Sequence, residues 1–331
     1  MTRKTVSLLV KLAVTLAILV FLFMKVDFST DGFIKTLRGI DLPVYLLSLF
    51  GVIVVLGIKS YRWNILVANE GYPYRPYRSF GAYMSSDAIG IVTPGRIGEI
   101  ARLYYVRQET DIPLFQAFKT IVSDRIFDFT MLGWFGISGM TYYFKSFGDI
   151  PGYSYALIIL AIFIGAYLIG MALLSWIVKK NWLRRWEIPR FIYESLLAVI
   201  GKKTILMWFI TFAAYFAYFY FSWLIMHSLT VKPGFVDVAF IMSIMSLSTI
   251  IPISVAGFGT REATLVALFS YYGLSAEIAV TFSLLHFTAF FLWGGLIGLV
   301  YWLVMPISLK QVKDDSIEIV RLFKVKPKEG N

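Results

Sequence analysis

Thr93-Pro94-Gly95-Arg96-Ile97-Gly98-Glu99 ends one apolar stretch, Ser79–Thr93, and Pro252-Ile253-Ser254-Val255-Ala256-Gly257-Phe258-Gly259-Thr260-Arg261-Glu262 ends another, Phe235–Ile251. In each a proline and glycines stop a helix, an Arg/Glu pair follows, and a new helical segment begins, Ile100–Val106 and Ala263–Tyr271. Non-helical backbone at membrane depth is tolerated only where protein buries it or water reaches it, since an unpaired amide in lipid costs several kcal/mol. Both breaks are therefore expected at the tips of re-entrant helical hairpins, lining a cavity.

The composition around them requires lipid. Of 331 residues, 58% are hydrophobic and 15% charged, against about a quarter charged in ordinary globular chains, and mean hydropathy is +0.73. With no cysteine and two histidines, disulfides, thiol nucleophiles and cysteine-based metal sites are excluded, and the isolated His227 and His286 are expected to be simply hydrogen-bonded, with no metal and no cofactor. A formal charge of +11 lies between apolar runs, where it reads as topology signal and headgroup contact, with no nucleic acid partner.

Six stretches are long enough for full spans: Val6–Met24, Leu42–Ile58, Ile126–Phe144, Tyr153–Val178, Ile205–Leu229 and Ile278–Met305. Met24-Lys25-Val26-Asp27 lacks the small residues of a cleavage site, so the first is expected to stay as an anchor. If both termini are cytoplasmic and neither hairpin crosses, 25 of the 31 Lys and Arg face the cytoplasm, as the positive-inside rule demands. The expected fold is thus an all-α polytopic membrane protein of eight or so transmembrane segments, six full spans plus two re-entrant hairpins. Residues 1–309 form one integral-membrane domain and 310–331 a short basic cytoplasmic tail. Span, span, hairpin, span fills 6–145 and recurs, inverted, in 153–305, an inverted repeat of the kind that places a substrate site between broken helices. Asn181–Lys203 mixes basic and aromatic residues as an interfacial segment does.

Thr93 can cap the helix after the first break, and a helix start offers free N–H groups to an anion. Arg96, Glu99 and Arg102 follow at steps of three, so Glu99 can hold one arginine and leave the other for an anionic ligand. Gly257, Gly259, Arg261 and Glu262 repeat the theme at the second break; Pro94, Gly95, Gly98 and Pro252 complete the hairpin breaks. The competing reading is that these arginines snorkel to the interface. Asp124 and Asp128, one turn apart where the third span opens, either pair with the Arg96/Arg102 face or shuttle protons; Asp87 is a coupling group or an arginine partner. Lys59, Arg62 and Trp63 read first as an interfacial anchor, with a second role in drawing headgroups. Tyr104 and Tyr105 are secondary candidates. No Walker A loop, HExxH, GxSxG or dinucleotide fingerprint occurs, so an enzyme is not expected.

Tyr61-Arg62-Trp63, the break Thr93–Glu99, Asp124-Arg125-Ile126-Phe127-Asp128 and the break Ile251–Glu262, in that order, make the chain resemble the lysylphosphatidylglycerol synthase transmembrane-region family, also called flippase-like or UPF0104 proteins. The resemblance implies movement of a lipid with a charged or sugar-bearing headgroup. No aminoacyl-transferase or glycosyltransferase domain accompanies the motifs, so lysyl transfer is not expected. The expected function is a lipid translocase, flippase or scramblase, for an anionic or glycosylated phospholipid or polyprenyl-phosphate lipid in a prokaryotic cell membrane. The alternatives are a membrane-embedded headgroup transferase and a small-solute transporter.

Overall fold

A computed structural model of the chain describes residues 28–93, 98–146, 148–179, 191, 194–196, 199, 204–249, 257–307 and 317. Among these residues the fold is helical throughout, with no strand. The span Val6–Met24, most of 181–203, most of the tail, and Pro94, Gly95, Arg96 and Pro252 lie outside the described residues.

Helix α1, Thr30–Arg38, starts at Ser29, whose Oγ accepts the Gly32 N–H. Helix α2, Leu42–Ser48, starts at Asp41 with Pro43 in its first turn, and after Leu49 continues as α3, Phe50–Asn69; together they make the 28-residue span Leu42–Asn69. The hydropathy pattern ends this span at Ile58. The helix instead runs on to Asn69, because Lys59, Arg62 and Asn64 meet partners inside the protein.

There follow α4, Pro76–Val92; α5, Ala101–Thr110; α6, Leu114–Tyr143; α7, Gly152–Lys179; α8, Ile205–Ser228; α9, Phe235–Ser248; and α10, Thr260–Ser270. A last rod joins α11, Ala276–His286, through a π-helical turn, Phe287–Leu292, to α12, Trp293–Val304. Among the described residues Leu42–Asn69, Gly152–Gly170, Ile205–Ser228 and Ala276–Val304 are long and apolar enough to cross a bilayer. The stretch Ile126–Phe144 belongs to α6, which has 30 residues and begins at Leu114. Asp124 and Asp128 therefore lie within a helix and do not open one.

Helix ends gather at two levels. At one, Lys119 early in α6 pairs with Glu70 just beyond α3 at 2.7 Å, and Arg78 in α4 faces Glu109 in α5 at 3.6 Å. The Tyr105 hydroxyl of α5 joins them by donating to the Met305 carbonyl past α12 at 2.8 Å. At the other level the Asp41 N–H donates to Ser228 O at the end of α8, and the Ser29 N–H to the Glu277 carboxylate at the start of α11, both at 2.8 Å. There too Tyr143, ending α6, bonds Tyr272 past α10 at 2.9 Å, and Tyr142 packs on Phe240 of α9. The beginning of α4 and the end of α5 thus lie side by side.

The main packings cross between chain halves: α4 lies on α12, α9 on α6, and α3 on α8. Glycines permit the closest of these. A methyl on Gly298 of α12 would run into the Met84 carbonyl of α4, and one on Gly139 of α6 would come 2.7 Å from Phe240 Cβ of α9. In lipid, where burying apolar surface gains little, such close backbone approach is how helices acquire packing energy. Outward faces are apolar, with Leu157, Leu168, Phe209, Phe212 and Leu303 exposed, while Arg62, Arg102 and Asp124 are 0% exposed. That distribution inverts a water-soluble fold and suits a bilayer.

Candidate functional site

The ionic centre of the first half begins with Arg62, three turns along α3. Its Nε donates to Asp124 Oδ1 at 2.9 Å, Nη2 to Asp128 Oδ1 at 2.9 Å and to the Asp124 carbonyl at 3.1 Å, and Nη1 to Thr211 Oγ1 of α8 at 2.9 Å. Asp124 Oδ2 accepts the Tyr83 hydroxyl and Arg102 Nη1, each at 3.0 Å. Asp128 Oδ2 accepts Lys59 Nζ at 3.1 Å and Arg125 Nη1 at 3.3 Å. Glu99 pairs closely with Arg125 and lies 3.6 Å from Arg102. Two carboxylates one helical turn apart can serve a guanidinium planted between them, and the sequence spacing supplies that turn.

Arg62 and Trp63 accordingly point into the protein and not outward. Both are 0% exposed, and the indole N–H donates to Thr120 Oγ1 at 3.0 Å. Of the two roles open to Asp124 and Asp128, the geometry displays pairing with arginine. Their partners are Arg62, Arg102, Arg125 and Lys59; Arg96 lies outside the described residues. Asp87 is buried on α4. Gly98 crosses so near α4 that a Cβ there would meet Ile89 O at 2.5 Å, and its N–H donates to Thr93 Oγ1 at 2.8 Å; Thr93 thus bridges the break but does not cap α5, which begins at Ala101 with no side-chain cap. Tyr105 bonds the Met305 carbonyl and Tyr104 accepts from Gln108, both structural contacts.

The second centre is smaller. Gly257 and Gly259 stand at φ +79° and +88°, a conformation that costs side-chain-bearing residues strain, and so turn the chain into α10. Glu262 reaches back to the Gly259 N–H at 2.6 Å, as an N-terminal capping carboxylate does. Its other oxygen accepts Arg261 Nη2 at 2.7 Å and the Ser283 hydroxyl of α11 at 2.6 Å. Arg261, 2% exposed, also donates from Nε to Ser283 Oγ at 2.7 Å and lies against Phe258 and Phe287. It does not snorkel outward.

His227 bonds the Trp223 carbonyl at 3.1 Å, as expected. His286 does not fit that expectation: it is buried, and neither ring nitrogen has a hydrogen-bond partner. Sequence reasoning also left Arg125, Ser283, Tyr83 and Thr211 out of the sites and gave Lys59 a headgroup role without its place in the charge cluster. Lys59 stands three residues before Arg62 and Arg125 between the two aspartates, so spacing could have included both; the hydroxyls carry no such signal.

The family model described as lysylphosphatidylglycerol synthase TM region matches residues 8–298. A UPF0104 membrane protein of Methanocaldococcus jannaschii is 22% identical, the match covering 94% of this chain and 98% of that one. Matched over nearly its whole length and built of several apolar helices, this multi-pass membrane protein belongs to the lysylphosphatidylglycerol synthase TM region family.

Proposed function

We propose that the chain is a lipid translocase, a flippase or scramblase, carrying an anionic or glycosylated phospholipid or polyprenyl-phosphate lipid between the leaflets of a prokaryotic cell membrane. The observation that carries this reading is Arg261: a cation buried at a helix break, inside a body with an apolar surface, with one guanidinium nitrogen, Nη1, making no hydrogen bond. A headgroup crossing hydrocarbon must shed its water, and a buried donor at that depth replaces part of the lost hydration. The acyl or isoprenoid tails stay in the bilayer against the exposed leucines and phenylalanines. In the first half four cations face three carboxylates, and Lys59 and Arg125, at 14% and 28% side-chain exposure, are the ones water can reach. These two form the entrance for the anion, with Arg62 and Arg102 held behind them by Asp124.

The reading includes a topology. The chain doubles back within the bilayer at both breaks, the termini are cytoplasmic, and 6–145 and 153–305 are inverted copies within one domain, 1–309. In support, α4 on α12 mirrors α9 on α6, each the first arm of a hairpin against the last span of the other half, with α3 on α8 at the centre.

The test is transbilayer movement of fluorescent phosphatidylglycerol in liposomes holding the purified protein, read by dithionite quenching, with lipid mass measured afterwards. Label should equilibrate with its mass unchanged, and Arg261→Ala should slow it about tenfold or more, since a charged hydrogen bond is worth roughly 1.5–3 kcal/mol. An altered mass would indicate a headgroup transferase; no movement, with uptake of a water-soluble solute, would indicate a transporter.

A further inference from the structure

His286 closes α11 one residue before the π-helical turn, a rare local widening of the helix found disproportionately at functional sites. Its ring stacks on Phe290 at 4.7 Å and meets Tyr218 of α8 edge-on at 5.8 Å, yet Nδ1 and Nε2 are both unbonded at 1% exposure. One turn earlier on the same helix, Ser283 holds Arg261, whose Nη1 is unbonded as well. Each unmade bond of a buried polar atom costs about 1–3 kcal/mol, and native interiors tolerate few. Three such nitrogens on neighbouring side chains at one helix break have no packing rationale, since a phenylalanine would fill the place of His286 without the penalty.

What would satisfy them is a small group rich in acceptors. An imidazolium with no acceptor, beside a permanent cation, is the costly form of the ring. An oxyanion lying between the two side chains would accept from Arg261 and supply the counter-charge that lets the ring ionise. We infer that the Arg261–His286 corner binds one oxyanion together with one proton, the proton passing from water onto the His286 ring. The identity of the oxyanion as a headgroup phosphodiester rests on the translocase reading; a free oxyanion has the same chemistry. Empty, the corner carries Arg⁺ and Glu⁻ and is neutral. Loaded, it adds one imidazolium and one anion and is neutral again, so headgroup charge enters the protein without a net buried charge.

Proton and anion then reinforce each other by the same factor, and anion affinity falls as pH rises past the titration of the loaded ring. The titratable and charged groups facing His286 are Arg261 and Glu262 from α10 and Tyr218 from α8; from α2, Tyr45 donates to the adjacent Leu285 carbonyl. Helix α1 meets α11 at Glu277, nine residues and so about 13 Å away along the axis. Helix α3 meets the rod at Gly294, against Val52, and its first cation, Lys59, lies seven residues further on.

The chain has two histidines, so ¹⁵N-histidine labelling of full-length protein with His227→Gln reports His286 alone. Two probes that keep their charge near neutral pH are added in detergent micelles: dihexanoyl phosphatidylglycerol and inorganic sulfate. The inference expects the neutral ring signal to become imidazolium on addition of probe, and affinity to drop about tenfold per pH unit above that titration. In His286→Gln, which keeps a donor but cannot ionise, binding should persist without the pH slope. A response to the lipid alone assigns the corner to headgroups; a response to sulfate as well assigns it to oxyanions generally. A ring that stays neutral with both probes, or an unchanged slope in His286→Gln, overturns the inference. An imidazolium signal from protein that moves no lipid in liposomes would leave the corner standing and remove the translocase reading; lipid movement with a silent ring would do the reverse.

Discussion

Replacing Arg62 by glutamine tests whether the first charge cluster is a structural lock. The guanidinium makes four hydrogen bonds, two to carboxylates, one to a carbonyl and one to Thr211, and glutamine can renew one or two. Asp124 would keep Tyr83 and Arg102, and Asp128 would keep Lys59 and Arg125. The cluster would pass from four cations against three carboxylates to three against three, so no buried charge is left unbalanced. The cost should therefore fall near 3 kcal/mol, the low end of the roughly 3–5 kcal/mol for breaking a buried pair. Asp124→Asn does the opposite: four cations face two carboxylates, and the fully buried Arg62 and Arg102 lose their common partner, which points to about 5 kcal/mol. Because both changes act on one contact, the double variant should cost less than the sum by about 1–3 kcal/mol. The assay is unfolding by dodecyl sulfate in mixed micelles, followed by tryptophan fluorescence. Additivity to within about 0.5 kcal/mol, or Arg62→Gln proving the worse of the two, would refute the charge-balance reasoning.

Three further outcomes can be checked directly. Gly298→Val and Gly139→Leu should each destabilise by about 1–3 kcal/mol in the same titration, because α12 and α6 would have to withdraw from the Met84 carbonyl and from Phe240. Asp149→Asn, which removes an exposed partner of Lys145, should leave the midpoint unmoved, and a measurable loss would mean this loop packs more tightly than its exposure indicates. The chain lacks cysteine, so single cysteines at Arg75 and Asp111 should react with an impermeant maleimide from one face of the membrane and those at Asp149 and Ser270 from the other. Labelling of Arg75→Cys and Asp111→Cys from opposite faces would show that the first hairpin crosses.

Much of this was legible from residue order. Glycines at 257 and 259 announced a turn, and both stand at positive φ. Arg261 and Glu262, adjacent in sequence, do pair, and two aspartates four residues apart do face arginines. The extents of α3 and α6 were misjudged for one reason: hydropathy treats a charge as the end of a span, whereas Lys59 and Arg62 on one helix cancel Asp124 and Asp128 on another more than sixty residues away. Such compensation is a property of the pair, and neither local stretch contains it. The same holds for Ser283, an ordinary serine until α10 places a guanidinium against it. His286 was misjudged by assuming that a buried ring is a bonded one.

The arginines of the two centres differ in how far their donors are satisfied, and that difference bears on mechanism. Arg62 meets acceptors at Nε, Nη1 and Nη2, all supplied by the protein, so withdrawing it for a ligand would break four hydrogen bonds at about 3 kcal/mol. Arg261 retains a free nitrogen while Nε and Nη2 are held by Ser283 and Glu262, so a ligand can be added there without breaking an existing bond. On the proposed function Arg62 is then a fixed strut and Arg261 a receptor, with Arg102, whose Nε and Nη2 are also unbonded, a further donor. A receptor alone moves nothing uphill, because a passive path runs both ways. A proton that must accompany each headgroup onto the receptor supplies the missing dependence on an external gradient, so liposomes given a pH difference should accumulate lipid in one leaflet if the receptor is coupled and equilibrate evenly if it is not.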